Sequence, residues 1–269
     1  MPVRTFYWDA SRGEPVRWPR RPKPGQWRHG NAGDEFNTDL IDWAYPGLGH
    51  TNDADAGPRV LLVGSTVHRA LDGDVLAGVG SKGVAVPRDV TVRIVGLRGP
   101  RTLAAVEEAG HDTGDLRFLG DPGLLIGEVH PSLQEVDARR GRVAFIPHYR
   151  ERAEHASTRR YRLVDIDATP LQVGREIRRA EVVLTSSLHG LVWAHALGRP
   201  AVLVQPRTPE PEIKYVDYTE SVGLAWRTPP TLDEALEQSP SATPHDVSAV
   251  VRQIALPTLE ELRGAGVTA

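Results

Sequence analysis

The sequence predicts an α/β protein of two doubly wound domains with a cleft between them. Three observations carry this. Short apolar, β-branched runs alternate with amphipathic helical stretches in both halves of the chain. Glu181 to Val204 reads as a complete β-α-β unit. A polar stretch, Gly127 to Arg142, separates two such series and places the boundary so that residues 1–135 form one domain and 136–269 the other. A chain of 269 residues is long enough for two domains of ordinary size.

The β-α-β unit is the most informative stretch. Val182 to Leu184 is a buried strand, and the hydroxyls of Thr185-Ser186-Ser187 can cap the free N–H groups that open a helix. Leu188, Leu191, Val192 and Ala196 share one helical face, Gly198 stops the helix, and Pro200 forbids its continuation before the next strand, Ala201 to Val204. His189 therefore sits in the first turn of a helix at the carboxyl edge of a sheet. Open α/β sheets bind ligands there, and the helix dipole with its free N–H groups favours an anion.

In the N-terminal half, Val3 to Trp8 reads as the first strand. The proline- and arginine-rich segment Pro15 to Arg28 reads as a loop whose Arg17, Trp18, Arg20, Arg21, Lys23, Trp27 and Arg28 can face a glycan or a phosphate as readily as solvent. His29-Gly-Asn-Ala-Gly-Asp-Glu-Phe-Asn37 predicts a tight turn before a helix over Thr38 to Ala44, with Asn31, Asp34 and Glu35 clustered in one loop. Arg59 to Val63 is a buried strand. Gly78-Val-Gly-Ser-Lys-Gly83 has the spacing of a dinucleotide fingerprint, but the β-branched, proline-containing Val84 to Val95 reads as strand where that motif needs a helix. It is taken as a glycine loop at a strand end. Arg98-Gly-Pro-Arg101 opens a helix that Gly110 ends, and its two arginines flank the helix's positive end as a second candidate anion site. Phe118 to Ile126 reads as a strand with an interrupting turn at Asp121.

In the C-terminal half, Val143 to Tyr149 is a strand whose end presents His148 and Tyr149, and Arg150 to Arg162 is a charged loop. Leu163 to Ile166 is another strand, and Thr169-Pro170 opens a helix that runs to about Ala180. Beyond the β-α-β unit, the proline-rich Pro206 to Pro211 leads to Lys214, Asp217 and Tyr218, placed to close over a site. Helical patterns over Leu232 to Glu237 and His245 to Leu262 finish the chain.

Composition narrows the chemistry. Hydrophobic content of 40%, charged content of 25% and a net charge of −3 describe a globular protein with no bulk signal for nucleic acid. No cysteine is present, so disulfides, thiolate metal sites and cysteine nucleophiles are excluded. Early charges and the lack of a long apolar run predict a cytoplasmic protein without a secretory leader. His189 and His195 fall on different helix faces, which does not suit zinc, and His195 reads as a core residue. Asp53-x-Asp55, Asp72-x-Asp74 and Asp165-x-Asp167 have the D-x-D form of metal-dependent glycosyltransferases, a triplet that arises readily in acidic loops. No nucleophile elbow is present. At a helix N-terminus His189 tends toward the neutral form, and a bound phosphate dianion reverses that and makes it a hydrogen-bond donor and general acid.

Taken together, these segments resemble the polysaccharide pyruvyltransferase family. Ser186-Ser-Leu-His-Gly190 with Ala196-Leu-Gly-Arg-Pro200 is similar to its signature, and Leu97-Arg-Gly-Pro-Arg-Thr102 to its arginine-glycine-proline segment. Gly30 to Asn37 resembles its N-terminal motif, with Ala32 in place of an aromatic residue. Leu119 to Leu125, Phe145 to Tyr149 and Lys214 to Tyr218 resemble the connecting segments, in the family's order. The resemblance implies Rossmann-like domains arranged as in glycosyltransferase-B enzymes, and transfer of a pyruvyl group from phosphoenolpyruvate to a sugar as a cyclic ketal with release of phosphate. It implies a donor side in residues 136–269 built from Ser186, Ser187, Leu188, His189, Gly190, Lys214 and His148, with Arg98 as the donor-binding arginine. Residues 1–135 are then the acceptor side, through Asn31, Asp34 and Glu35. His189 is expected as acid or phosphate ligand and Asp34 as base, without a metal or other cofactor. The expected partners are phosphoenolpyruvate and a glycan or lipid-linked oligosaccharide, the latter bringing the protein to the membrane surface. A sugar-nucleotide glycosyltransferase and a non-catalytic glycan-binding protein are the other readings of the same scaffold.

Overall fold

The computed structural model describes residues 1–9 and 27–269. It contains two parallel sheets. The first holds β1 (Val3–Thr5), β2 (His50–Asn52), β3 (Val60–Leu61), β4 (Val75–Ala77), β5 (Arg93–Leu97) and β6 (Phe118–Leu119) in the order β2-β1-β3-β4-β5-β6. The second holds β7 (Val143–Ile146), β8 (Arg162–Leu163), β9 (Val182–Thr185) and β10 (Ala201–Leu203) in the order β10-β9-β7-β8. Every strand pair is parallel. Parallel sheets are covered on both faces, which is why β4 and β9 are buried along their length and, Thr185 apart, apolar. In each sheet the chain lays its second strand on one side of the first and its third strand on the other. The strand order reverses between β1 and β3 and again between β7 and β9.

The helices among the described residues are α1 (Ala32–Ala44), α2 (Pro100–Glu108), α3 (Ile126–Val129), α4 (Pro170–Arg179), α5 (Leu188–Ala196), α6 (Ile213–Ser221), α7 (Leu232–Gln238), α8 (Ser248–Val251) and α9 (Leu259–Gly264). None is long and apolar enough to cross a membrane. Helices α4, α7 and α9 each begin with a threonine capping box, at Thr169, Thr231 and Thr258.

Several elements differ from expectation. Helix α1 starts at Ala32 rather than Thr38, so Asp34 and Glu35 lie in its first turn and not in a loop. Val84 to Val92 is not strand, since β5 begins at Arg93, opposite Val75 of the short β4. Phe118 to Ile126 is strand only to Leu119, because Asp121 accepts a hydrogen bond from Gly123 N at 2.8 Å and starts a 3-10 turn over Pro122–Leu125. The pattern from His245 to Leu262 breaks into α8 and α9 around Pro257. Edge strand β2, the polar His-Thr-Asn, carries no apolar signal.

The two sheets share one continuous core. Phe36 of α1 meets Trp193 of α5 edge to face at 5.8 Å, and the cluster runs from Val3 to Val267. The end of the chain returns to the first sheet: Arg4 N donates to Val267 O at 3.1 Å, and Glu261 pairs with Arg93 and Arg117. A buried ion pair adds a second joint. Arg98, at the end of β5, donates from Nε to Oδ2 of Asp217 on α6 at 2.9 Å, and both side chains are fully buried. Asp217 also receives Arg101 N and Thr102 N at 2.9 Å each and the Thr102 hydroxyl at 2.6 Å. A carboxylate of one half thus caps the positive end of a helix of the other.

Removing Asp217 leaves the Arg98 guanidinium buried without a counter-ion. Asp217→Ala is expected to lower the unfolding free energy by about 3–5 kcal/mol, read by urea denaturation. Arg98→Met combined with Asp217→Leu is expected to recover part of that loss. A cost of under about 1 kcal/mol would place the pair among surface ion pairs and contradict its role as a joint.

Candidate active site

Ligands of open α/β sheets bind beyond the carboxyl ends of the strands, where the strand order reverses. This chain has two such points, and residues from both line one cavity of about 400 Å³. From the first sheet come Asn31 and Asp34 after β1, Ser65 and Thr66 after β3, and Lys82 after β4. From the second come His148 and Arg150 after β7, Ser187 and His189 after β9, and Glu210 and Lys214 after β10.

The head of α5 forms one wall. Ser187 is the N-cap, and its hydroxyl accepts from Gly190 N at 3.4 Å. His189, in the first turn, is buried. Its Nε2 stands 3.9 Å from Oδ2 of Asp121, and neither atom has a hydrogen-bond partner among the described residues. Burial, then the charges of Arg98 and Lys214, hold the imidazole below its ordinary pKa against the opposing pull of Asp121. The free side chain is neutral at neutral pH. The first turn of α1 lies directly on this ring: a Cβ at Gly33 would stand 2.2 Å from His189 Nδ1. Glycine is therefore required there by close approach.

Asp34 sits one residue further along α1. Its Oδ2 accepts from Asn31 Nδ2 at 2.7 Å. Burial pushes its pKa up to about 7, opposed by Asn31, Lys214 and Lys82. It therefore titrates near neutrality, where a general base is most effective. Glu35 is also raised to about 7 by burial and by Asp9, Asp34 and Asp39, but it does not line the cavity. Its carboxylate lies against Gly30, whose φ of +109° suits glycine, and a Cβ there would stand 2.6 Å from Glu35 Oε1. The acceptor-side trio thus separates, with Asn31 and Asp34 in the cavity and Glu35 outside it.

Lys214 Nζ contacts Glu210 Oε2 at 2.7 Å and His148 Nε2 at 3.3 Å, and Glu210 Oε1 lies 3.3 Å from His148 Nδ1 and 3.2 Å from Arg150. His148 Nδ1 also accepts from Arg150 N at 3.5 Å, so the ring is held by the start of the turn that follows β7. Burial and the neighbouring Lys214 and Arg150 hold His148 well below its ordinary pKa.

Other expected ligands have internal partners instead. Arg98 does not reach the cavity: besides Asp217, it donates to Ser65 Oγ at 2.7 Å and to Ser81 O at 2.6 Å. The anion site expected between Arg98 and Arg101 is filled by Asp217, and Arg101 pairs with Glu220. Ser186 bonds Glu151 and accepts from His148 N, holding β7 and β9 together below the cavity. Gly190 gives close helix–strand packing, since a Cβ would stand 2.3 Å from Thr185 Oγ1. Leu188 and Ser187 line the cavity as expected. Asp217 and Tyr218 are buried away from it, Tyr218 bonding His195 at 2.9 Å.

Asp53 caps its own turn, and Asp74 pairs with the buried Arg59. Asp167 gathers the N–H groups of Arg28, His29 and Gly30 ahead of α1. Each D-x-D aspartate named here is thus engaged by the chain itself. Of the basic loop, Arg17, Trp18, Arg20, Arg21 and Lys23 lie outside the described residues; Trp27 packs on Tyr149 at 5.9 Å.

Lys82, Arg69, Thr66, Arg150 and Glu210 escape the sequence reading. Lys82 lies within Gly78–Gly83, where spacing alone signals a turn. Arg150 lies in a run of charged residues with nothing to set it apart.

The raised pKa of Asp34 has a sign that stability measurements read. The folded state holds this proton up to about pH 7, so the stability it confers is complete below the ordinary carboxylate pKa and is lost as pH rises through about 7. Asparagine does not titrate. Asp34→Asn is therefore expected to match wild type in urea denaturation near pH 4 and to gain on it between about pH 4 and 7, on the order of 1.4 kcal/mol per pH unit. A difference independent of pH would contradict the burial argument.

Comparison with known proteins finds relatives of part of this chain. Residues 91–206 match the family model described as polysaccharide pyruvyl transferase. The succinoglycan biosynthesis protein ExoV of Rhizobium meliloti (strain 1021) is 25% identical over 223 residues, covering 76% of this chain, and the chain spans 66% of that relative's length. An uncharacterized protein, L143, of Acanthamoeba polyphaga mimivirus is 25% identical over 213 residues, 72% of this chain and 71% of the relative. No solved structure matches. The family match contains both Arg98-Gly-Pro100 and Ser186 to Gly190, and the resemblance to the polysaccharide pyruvyl transferases read from those motifs therefore holds.

Proposed function

We propose that the protein transfers a pyruvyl group from phosphoenolpyruvate to a sugar of an exopolysaccharide or its lipid-linked precursor. The observation that carries this is the pairing of a neutral His189 at a helix N-terminus with Asp34, poised near pH 7, in a cavity lined by Arg69, Lys82, Arg150 and Lys214. A trianionic donor suits such a cavity. The facing carboxyl edges of two parallel sheets support a glycosyltransferase-B-like arrangement, with the donor on the second sheet's wall and the acceptor on the first's.

In this reading one anionic group of the donor lies toward Lys214, Arg150 and the N–H groups at the head of α5. Phosphate raises the proton affinity of His189, which then protonates the methylene carbon of the enol. One sugar hydroxyl, its proton taken by Asp34, bonds to the adjacent carbon. Phosphate leaves, and the second hydroxyl closes the ketal. Of the two hydroxyl protons, one balances the proton delivered to carbon and the other departs with hydrogen phosphate. No further cofactor enters the reaction. Trp8, 50% exposed, and Val84, 47% exposed, line the cavity mouth and offer an apolar platform to a sugar face. The reaction takes place in the cytoplasm, at the membrane surface where the acceptor is lipid-linked.

The test is a thermal-shift titration. Phosphoenolpyruvate at about 100 times its Kd is expected to add about 2.7 kcal/mol of stability, with the response weakened in Lys214→Ala and Arg150→Ala. Stabilisation by a nucleotide sugar and none by phosphoenolpyruvate would replace this reading with a sugar-nucleotide glycosyltransferase. Glycan binding unchanged in His189→Ala, with no response to either donor, would leave a non-catalytic glycan-binding protein.

A further inference from the structure

The two walls of the cavity differ in how their positive charge is balanced. On the second sheet's side Glu210 contacts both Lys214 and Arg150. On the first sheet's side Arg69 and Lys82 make no ion pair with any described residue, although both lie close enough to His68 to lower its pKa. Lys82 is also near enough to Asp34 to favour that carboxylate's charged form. Beside these cations are polar atoms without partners. Thr66 is 7% exposed and its hydroxyl has no hydrogen-bond partner among the described residues, and His68 Nδ1 is in the same condition. Buried hydroxyls are rarely left unpaired, and a water or a bound ion completes those that lack a protein partner.

The segment that presents Lys82 is held in place. Arg98 donates to Ser81 O at 2.6 Å, Ser81 N donates to Thr102 Oγ1 at 2.8 Å, and Ser81 Oγ accepts from Gly83 N at 3.0 Å. A Cβ at Gly80 would stand 2.0 Å from Arg98 Cζ, so the loop rests directly on the guanidinium. Through Ser65 the same arginine steadies the residue before Thr66. Lys82, on a segment held this firmly and in no ion pair with a described residue, is organised for an incoming anion, and Arg69 adds a second cation at the same wall.

We propose that Thr66, Arg69 and Lys82 form a phosphoryl-binding site on the first sheet's wall of the cavity, opposite the head of α5. A hydroxyl, a guanidinium and an ammonium around one space suit the several oxygens of a phosphoryl group. That group comes either from the donor or from a phosphorylated sugar acceptor. The inference shares its cavity with the pyruvyl-transfer reading, yet phosphate binding tests it whether or not a ketal is formed.

The experiment is isothermal titration of the full chain with inorganic phosphate. Wild type is expected to bind, and Arg69→Ala combined with Lys82→Ala to weaken binding by about tenfold or more. Arg101→Ala, whose arginine pairs with Glu220 outside the cavity, is expected to leave binding unchanged. Competition then identifies the source. If phosphoenolpyruvate displaces phosphate, the site holds the donor's phosphoryl group. If glucose 1-phosphate displaces it and phosphoenolpyruvate does not, the site holds the acceptor's. Absence of phosphate binding in wild type, or equal binding in the double variant, would overturn the assignment.

Discussion

The arrangement of the cavity depends on the contact between Arg98 and Asp217. Asp217 lies on the helix that carries Lys214, and its carboxylate occupies the positive end of a helix that follows the first sheet. Arg98 reaches from that point to Ser65 and Ser81, which flank the residues on the opposite wall. A buried charge is costly to hold unless it is both paired and hydrogen-bonded, and here each partner is. The joint therefore fixes the spacing between the Lys214 wall and the Lys82 wall. Arg98 acts through the residues it positions.

Close backbone approach is the second constraint. Gly99 lets α6 come within reach of Arg98, since a Cβ there would stand 2.1 Å from Asp217 O. Gly33 performs the same service for His189. Side chains at these positions would move charged and titrating groups apart. The chain also tolerates costs at the same place: a carboxylate buried enough to titrate near 7, and atoms of Thr66, His189 and Asp121 without a hydrogen-bond partner among the described residues. Such local violations concentrate where function needs them.

The part of this that can be read from sequence is the part determined locally. His189 at the head of α5 follows from a strand, a run of hydroxyls and a helix within one short segment. The parallel two-sheet plan follows from alternating patterns, and the cap at Thr169 from its own box. What sequence does not reveal is which distant group answers each charge. Arg98 beside a helix start looks like a ligand for an outside anion until Asp217, far along the chain, is seen to fill the place. Asp34 reads as a loop residue because Gly30 and Gly33 obscure the helix, and Gly33 is there for a ring on another element. Lys82 has no signal beyond the glycines around it.

Isotope incorporation tests the central claim most directly. The full chain would be incubated in heavy water with phosphoenolpyruvate, a nucleotide sugar and glycosides bearing neighbouring free hydroxyls, and the products followed by proton NMR. Protonation of the enol carbon from His189 predicts a new ketal methyl signal carrying deuterium, formed together with inorganic phosphate and lost in His189→Ala. Transfer of a glycosyl unit from a nucleotide sugar, with phosphoenolpyruvate left intact, would contradict it.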